Sequence, residues 1–271
     1  MRHIQLTRSA ARAAFVLSAA AGLAGCDVVV NSMHGGGRER AEREWTRTYT
    51  LDAAGADVEI VNVNGPIAVE ASDGNTLDVR AVITARGATP EDARKVLDRV
   101  EMAEEAGPSS VRLQAKYPRE LGRNGIEVFY TIRAPRTAKL SLETVNGRVN
   151  VDGAFAAVKA ESTNGGVYGE GLGNSVAAAT TNGEIKVKMA SVGGEGVSLE
   201  TTNGSIDLKL PVDAKATLAA RCVNGGIKVS DLPFERSGDG SRRKLDGAIN
   251  GGGAPVRLET VNGGIRVGGV T

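Results

Sequence analysis

The chain has 271 residues, 41% of them apolar and 24% charged, so it has room for a sizeable core and the balance of an ordinary globular protein. With 36 glycines and only 3% aromatic residues, that core must be built from small and aliphatic side chains rather than large rings. The formal net charge is +1 and falls to about −2 without the first 25 residues, which excludes nucleic acid as a partner, because phosphate binding needs a concentrated positive face.

The first segment, MRHIQLTRSAARAAFVLSAAAGLAGC, has a basic start, a short apolar run from Ala13 to Leu23 and a small-residue end, the organisation of a secretory signal. The run is too short to span a bilayer, which takes ~20 apolar residues. Leu23-Ala24-Gly25-Cys26 resembles the bacterial lipobox, which predicts cleavage between Gly25 and Cys26 and a diacylglycerol on the Cys26 thiol. A plain secretory signal ending near a cysteine is the alternative. Lipidation would attach the chain to a membrane of the bacterial cell envelope. Asp27 resembles an inner-membrane retention signal, but that rule depends on lineage, and the choice of membrane stays open.

Residues 26–45 mix glycine with alternating charges and lack a sustained apolar period, so they predict a flexible tether that lifts the domain off the membrane. The only two histidines, His3 and His34, fall in the signal and the tether. This excludes a catalytic or metal-binding histidine from the domain predicted over residues 46–271.

A small turn then recurs along the domain. Its Asn-Gly pairs place the asparagine at Asn64, Asn146, Asn164, Asn182, Asn203, Asn224 and Asn262, and the middle five copies are spaced by 18 or 21 residues. Between the first two copies, residues 73–133 interrupt the period. Thr89-Pro90-Glu91-Asp92 supplies an N-cap, a proline at the first helical position and acids in the first turn. One short helix is therefore predicted near residues 90–100, outside the stack or at its N-terminal end, flanked by alternating strands such as LDVRAVITARG and IEVFYTIRAP. Regular coils are predicted over 140–230, a polar, glycine-rich loop leaving the stack over 231–255, and the last coil over 256–271.

Aligned on the asparagine, the copies form columns. Six residues before it stand Val58, Leu140, Val158, Val176, Val197, Leu218 and Val256, and three after it Ile67, Val149, Val167, Ile185, Ile206, Ile227 and Ile265. Four before and five after are also small or aliphatic, with Gly169 the odd member of the latter column. The period is two on both sides of the turn, so each unit holds two strands with one buried face. Between these columns lie solvent-facing ones, including Glu143, Glu161, Glu200 and Glu259 before the turn and Asn150, Tyr168 and Lys186 after it.

Two folds fit. Asn-Gly between alternating strands is a strong signal for a hairpin with a type I′ turn, and a string of hairpins would make a meander or barrel. A parallel β-solenoid instead stacks equivalent positions at ~4.8 Å, which explains why the same residue types recur at the same offset. The column two before the asparagine, Thr144, Ser162, Thr180, Thr201, Cys222 and Thr260, favours the solenoid, because it predicts an inward hydroxyl ladder beside a stacked asparagine ladder. The fold predicted is therefore all-β, a right-handed β-helix-like solenoid with coils of 18–21 residues. Cys222 reads as a buried, inert thiol in a hydroxyl column.

The repeated T-x-N-G-x-I-x-V units, the Pro-Glu-Asp-Ala helix and LDGAINGGGAPVRLETVNGGIRV together resemble the bacterial putative-adhesin β-strand-repeat proteins, from about Asp52 to Val267. The resemblance implies the right-handed stack, export to the envelope and often a lipid anchor. It implies no activity.

The function predicted is a membrane-anchored, non-enzymatic binding or scaffold module, since solenoids present extended surfaces. Its partners would be the membrane through the N-terminal lipid and an unidentified envelope protein or glycan. Self-association is also predicted through the last strand, where only Gly-Gly-Val-Thr follows Val267 and a sheet edge would be open. The rivals are a polysaccharide-active enzyme and an envelope-stress sensor or regulator. An enzyme needs grouped carboxylates or cations, and the outward columns mix their charges. No catalytic residue, cofactor or metal ligand is assigned.

Overall fold

The computed structural model describes residues 28–31, 39–52, 55–118, 120, 125–238 and 241–270. Gly25, Cys26 and the signal segment lie outside them. The N-terminal part contains β1 (Val28–Asn31), β2 (Glu39–Thr50), β3 (Asp57–Val61), β4 (Ile67–Ser72), β5 (Thr76–Gly87), α1 (Pro90–Leu97), β6 (Glu101–Ala106), β7 (Ser110–Lys116) and β8 (Ile126–Pro135). Paired strands follow: β9 (Lys139–Asn146) and β10 (Val149–Asp152), β11 (Ala157–Asn164) and β12 (Val167–Leu172), β13 (Ser175–Asn182) and β14 (Ile185–Met189), and β15 (Val197–Asn203) and β16 (Ile206–Pro211). The chain continues through β17 (Ala216–Asn224), β18 (Ile227–Ser230), β19 (Phe234–Arg236), β20 (Lys244–Ile249), β21 (Ala254–Asn262) and β22 (Ile265–Val270).

These strands form two 11-stranded sheets. Sheet 1 runs β1-β2-β5-β8-β4-β10-β12-β14-β16-β22-β18, and sheet 2 runs β19-β20-β17-β21-β15-β13-β11-β9-β3-β7-β6. Each Asn-Gly turn carries the chain from sheet 2 to sheet 1, and equivalent strands pair in parallel with the asparagines in register, as in Val158↔Val176 with Asn164↔Asn182. The meander is thereby excluded, and the fold is all-β, parallel-rich and solenoid-like. Backbone angles agree, because a type I′ turn needs positive φ at both central residues. Among the seven turns only Gly65 has it.

Period-two alternation puts every aliphatic column between the sheets. Ile67, Val149, Ile185, Ile206 and Ile265 are fully buried against columns such as Val58, Val158, Val176 and Val256. A buried aliphatic side chain contributes about 1.5–3 kcal/mol, so many thin rungs together replace the missing aromatic core. Gly169, the gap in its column, is filled from the same strand: a Cβ there would fall on Leu172 Cδ1. A β-bulge between Gly169 and Leu172 turns Leu172 inward to do this.

Four expectations are corrected. Residues 39–45 are not tether but the first half of β2, whose Ala41 and Trp45 are buried, and β1 pairs with β2 from Val28 onward. The interruption at 73–133 continues both sheets: β5 lies antiparallel to β8, and β7 parallel to β3. Its helix spans Pro90–Leu97, capped by Thr89 and anchored by buried Ala93 and Leu97; it packs on β2 and β5 near one end of the stack. Residues 231–255 do not simply leave as a loop, since β20 pairs antiparallel with β17 and extends sheet 2. Finally, β21 and β22 are not at an edge. They lie between β15 and β17 and between β16 and β18, so the expected open edge at the last strand does not exist. At that end of sheet 1 the outermost strand is β18.

Candidate functional surface

The recurring turn is a structural spine. Asn146 Nδ2 donates to Asn64 Oδ1 at 2.8 Å, Asn164 to Asn146 and Asn182 to Asn164 at 2.9 Å each, Asn203 to Asn182 at 2.9 Å, Asn262 to Asn203 at 2.7 Å and Asn224 to Asn262 at 2.8 Å. All seven predicted asparagines thus join one hydrogen-bonded ladder, with Asn262 seated before Asn224. The glycine after each asparagine is required by proximity. A Cβ on Gly165 or Gly183 would strike the glycine carbonyl oxygen of the preceding rung.

The expected inward hydroxyl column is present, and its bonds run to the backbone. Each donates to a turn carbonyl of the preceding rung: Ser162 to Gly147 at 2.8 Å, Thr180 to Gly165 at 2.8 Å, Thr201 to Gly183 at 2.9 Å and Thr260 to Gly204 at 2.9 Å. A buried carbonyl left unpaired costs about 1–3 kcal/mol, so this column seals the corner. In the first rung buried Asn62 does the same work, donating to Gly65 O at 3.0 Å and Val128 O at 2.8 Å. Sequence reading passed over it because an amide stood where other rungs carry a hydroxyl.

With the spine assigned to stability, the outward columns are the candidate contact surface. On sheet 1, Ala68, Thr131 and Asn150 form a low stretch that ends at Tyr168 and runs beside exposed Glu70, Asp152 and Glu170. Together with Lys186 they line an open groove of about 540 Å³. Register creates it, since Ala68↔Asn150↔Tyr168 and Glu70↔Asp152↔Glu170 are neighbours on parallel strands. Glu170 keeps the outward direction of its column, in register with Asp152, and the bulge beside it turns Leu172 inward.

Tyr168 is held in place. Its hydroxyl donates to Glu184 Oε1 at 2.9 Å, and the Arg148 guanidinium lies 5.5 Å from its ring centroid. Partial burial, then the hydrogen bond to Glu184, pushes its phenol pKa up. The Lys186 ammonium, 2.8 Å from the same carboxylate, and then the Tyr168 hydroxyl hold Glu184 below the usual carboxylate range. Glu170 pairs with Lys188 at 2.7 Å and Glu70 lies 4.0 Å from Arg133.

On sheet 2, Glu143, Glu161 and Glu200 border a smaller polar notch with Thr163, Thr181 and Thr202. Among the described residues no group of three or more His, Cys, Asp or Glu is placed to hold a metal ion. Cys222 is buried.

Two parallel-rich sheets joined by stacked Asn-Gly corners define the class, an all-β solenoid-like repeat protein. Residues 46–268 match the Toastrack DUF4097 family, and the chain belongs to it. No curated protein matches. The chain is similar to a solved "putative cell adhesion protein" from Clostridium sporogenes ATCC 15579, with 11% identity, coverage of 83% of this chain and 99% of that one, and a TM-score of 0.48. A "putative adhesin" from Bacteroides fragilis NCTC 9343 shows 12% identity, coverage of 84% and 97%, and a TM-score of 0.29. Another from Parabacteroides merdae ATCC 43184 shows 10% identity, coverage of 84% and 96%, and a TM-score of 0.25.

Proposed function

We propose that the chain is a lipid-anchored protein of the bacterial envelope whose stacked rungs form a non-enzymatic binding or scaffold surface, with the sheet 1 groove beside Tyr168 as its contact site. The groove carries this reading, because it combines a fixed aromatic, a row of exposed carboxylates and an open floor. An extended envelope protein segment or glycan would lie across successive rungs there. Its carboxylates Glu70, Asp152 and Glu170 are all exposed, unlike the desolvated acid on which general acid catalysis commonly relies. On this reading the coils wind right-handed, the sense that connections between parallel strands take, with 18 or 21 residues each.

Anchoring would come from Cys26. Because β1 begins at Val28, the acylated residue and the sheet would be separated by a span of ~7 Å, at ~3.3–3.6 Å per residue. The stack would then stand close against the bilayer rather than at the end of a long tether. Cys26→Ser should move the protein from the membrane fraction to the soluble one, and retention in the membrane would overturn the anchor.

The contact site is tested by photo-crosslinking in intact cells from a probe at Asn150 in the groove and from one at Ser198 on sheet 2. A discrete adduct from position 150 alone is expected. Equal capture from both positions, or none from 150, would refute the assignment.

A further inference from the structure

The rung formed by β21 and β22 occupies a slot whose walls come earlier in the chain. In sheet 2, Thr201↔Thr260↔Cys222 and Asn203↔Asn262↔Asn224 are neighbours; in sheet 1, Ile206↔Ile265↔Ile227 are. Taking this rung away would bare four strand edges at once, on β15, β16, β17 and β18. Each edge offers unpaired backbone groups that another strand can satisfy.

The slot is selective. A Cβ on Gly263 would strike the Gly204 carbonyl, and one on Gly225 would strike the Gly263 carbonyl. Asn262 must accept from Asn224 and donate to Asn203, while Thr260 must reach Gly204 O. An occupant therefore needs Thr-x-Asn-Gly at the corner and aliphatic residues at the flanking alternate positions, in the register of this chain. The best-matched occupant is the same rung from another molecule.

Entry is also late. The strands of the slot walls precede the rung, and its bonds span long stretches of chain, 59 residues from Asn203 to Asn262. Contacts of such separation form slowly. The rung joins β20 through Asn250, Gly251 and Gly252, three consecutive residues at positive φ, and the Asn250 side-chain amide donates to the Val212 and Ala214 carbonyls in the β16–β17 connection. This glycine-rich joint can extend without a side-chain penalty.

We propose that the slot accepts Ala254–Val270 from a second copy, giving a coil-exchanged dimer. Every rung contact is retained in the exchanged form and only the joint at residues 250–253 changes, which is the low-cost route to a dimer. The intrachain rung competes through its high effective concentration, so exchange is set by protein concentration while the slot is open.

The test mixes full-length wild type with a form carrying Cys222→Ser and Thr260→Cys. Parallel neighbours lie ~4.8 Å apart, within the ~4.4–6.8 Å that a disulfide spans. The two forms are unfolded together, refolded dilute and at about a hundredfold higher concentration, oxidised, and mapped by peptide mass, which also separates Cys26 linkages. A cross-chain disulfide between Cys222 and the new thiol, rising several-fold with concentration, is expected. Its absence would overturn exchange where Thr260→Cys alone forms the bond within one chain. Sedimentation of the unsubstituted chain refolded over the same range gives an independent reading: a dimer that persists on dilution is expected, and monomer throughout refutes it.

Discussion

From Lys139 to Pro211 each rung lies on the one that precedes it in the chain, whereas beyond Ala216 chain order and spatial order part, with β21 and β22 inserted ahead of β17 and β18. The two regions nevertheless share one set of contacts: asparagine on asparagine, hydroxyl on turn carbonyl, aliphatic on aliphatic. Rung identity is thus set by column chemistry and rung order by connection length and by what else can pair. β20, bonded antiparallel to β17 and flanked by β19, takes the far edge of β17 and leaves the inner slot to the returning chain.

Four predictions probe that comparison, and a fifth its N-terminal counterpart. The largest effect is expected from Gly183→Ala in the regular region, where the new Cβ would meet the Gly165 carbonyl; overpacking of this kind costs about 1–3 kcal/mol or more. Gly194→Ala, with nothing within 4 Å of its Cβ, should leave the urea midpoint almost unchanged, and equal losses would refute the close-contact explanation. Alkali should next distinguish the aliphatic rungs from the N-terminal end. Burial pushes the Tyr130 phenol well above its ordinary value of 10.0, and burial with the nearby Glu104 does the same to Tyr49. With folded pKa values raised, the stabilisation is whole below the unfolded pKa near 10 and is lost as pH rises past it. Hydrogen exchange should then show β2 and β8 opening before β13 and β15.

Thr201→Val should cost about 1–3 kcal/mol by leaving the Gly183 carbonyl without its donor. Asn182→Ala removes two ladder bonds and Asn224→Ala one, so the first should cost about twice the second, at roughly 0.5–1.5 kcal/mol per bond. The smallest change is a gain. Cys222→Thr restores a hydroxyl to its column and should stabilise by about 1 kcal/mol, read as a higher urea midpoint at unchanged slope.

Much of this architecture was legible in the sequence. Parallel stacking forces like residues to recur at one offset, so Asn64 to Asn262, the aliphatic columns and the helix at Pro90 all announced themselves. The rung order was hidden, because Val197 packs as readily on Leu218 as on Val256 and nothing local states which one it meets. β20 was hidden by its charges and glycines, which suit an antiparallel cover strand and a loop equally. At the groove, Tyr168 and the acids were visible only as members of columns. Their meeting depends on the parallel register, which sets Tyr168 beside Asn150, and Glu170 and Glu70 beside Asp152, and which no single strand states alone.

The asparagine ladder also makes length a countable quantity. Every unit that brings its own Asn-Gly corner can bond to the one below and offer a carbonyl to the one above, and each adds ~4.8 Å to the stack. Whole units of 18 or 21 residues could therefore be gained or deleted without redesigning either neighbour. The length of the stack would change in fixed steps, a ruler graduated in single amide hydrogen bonds.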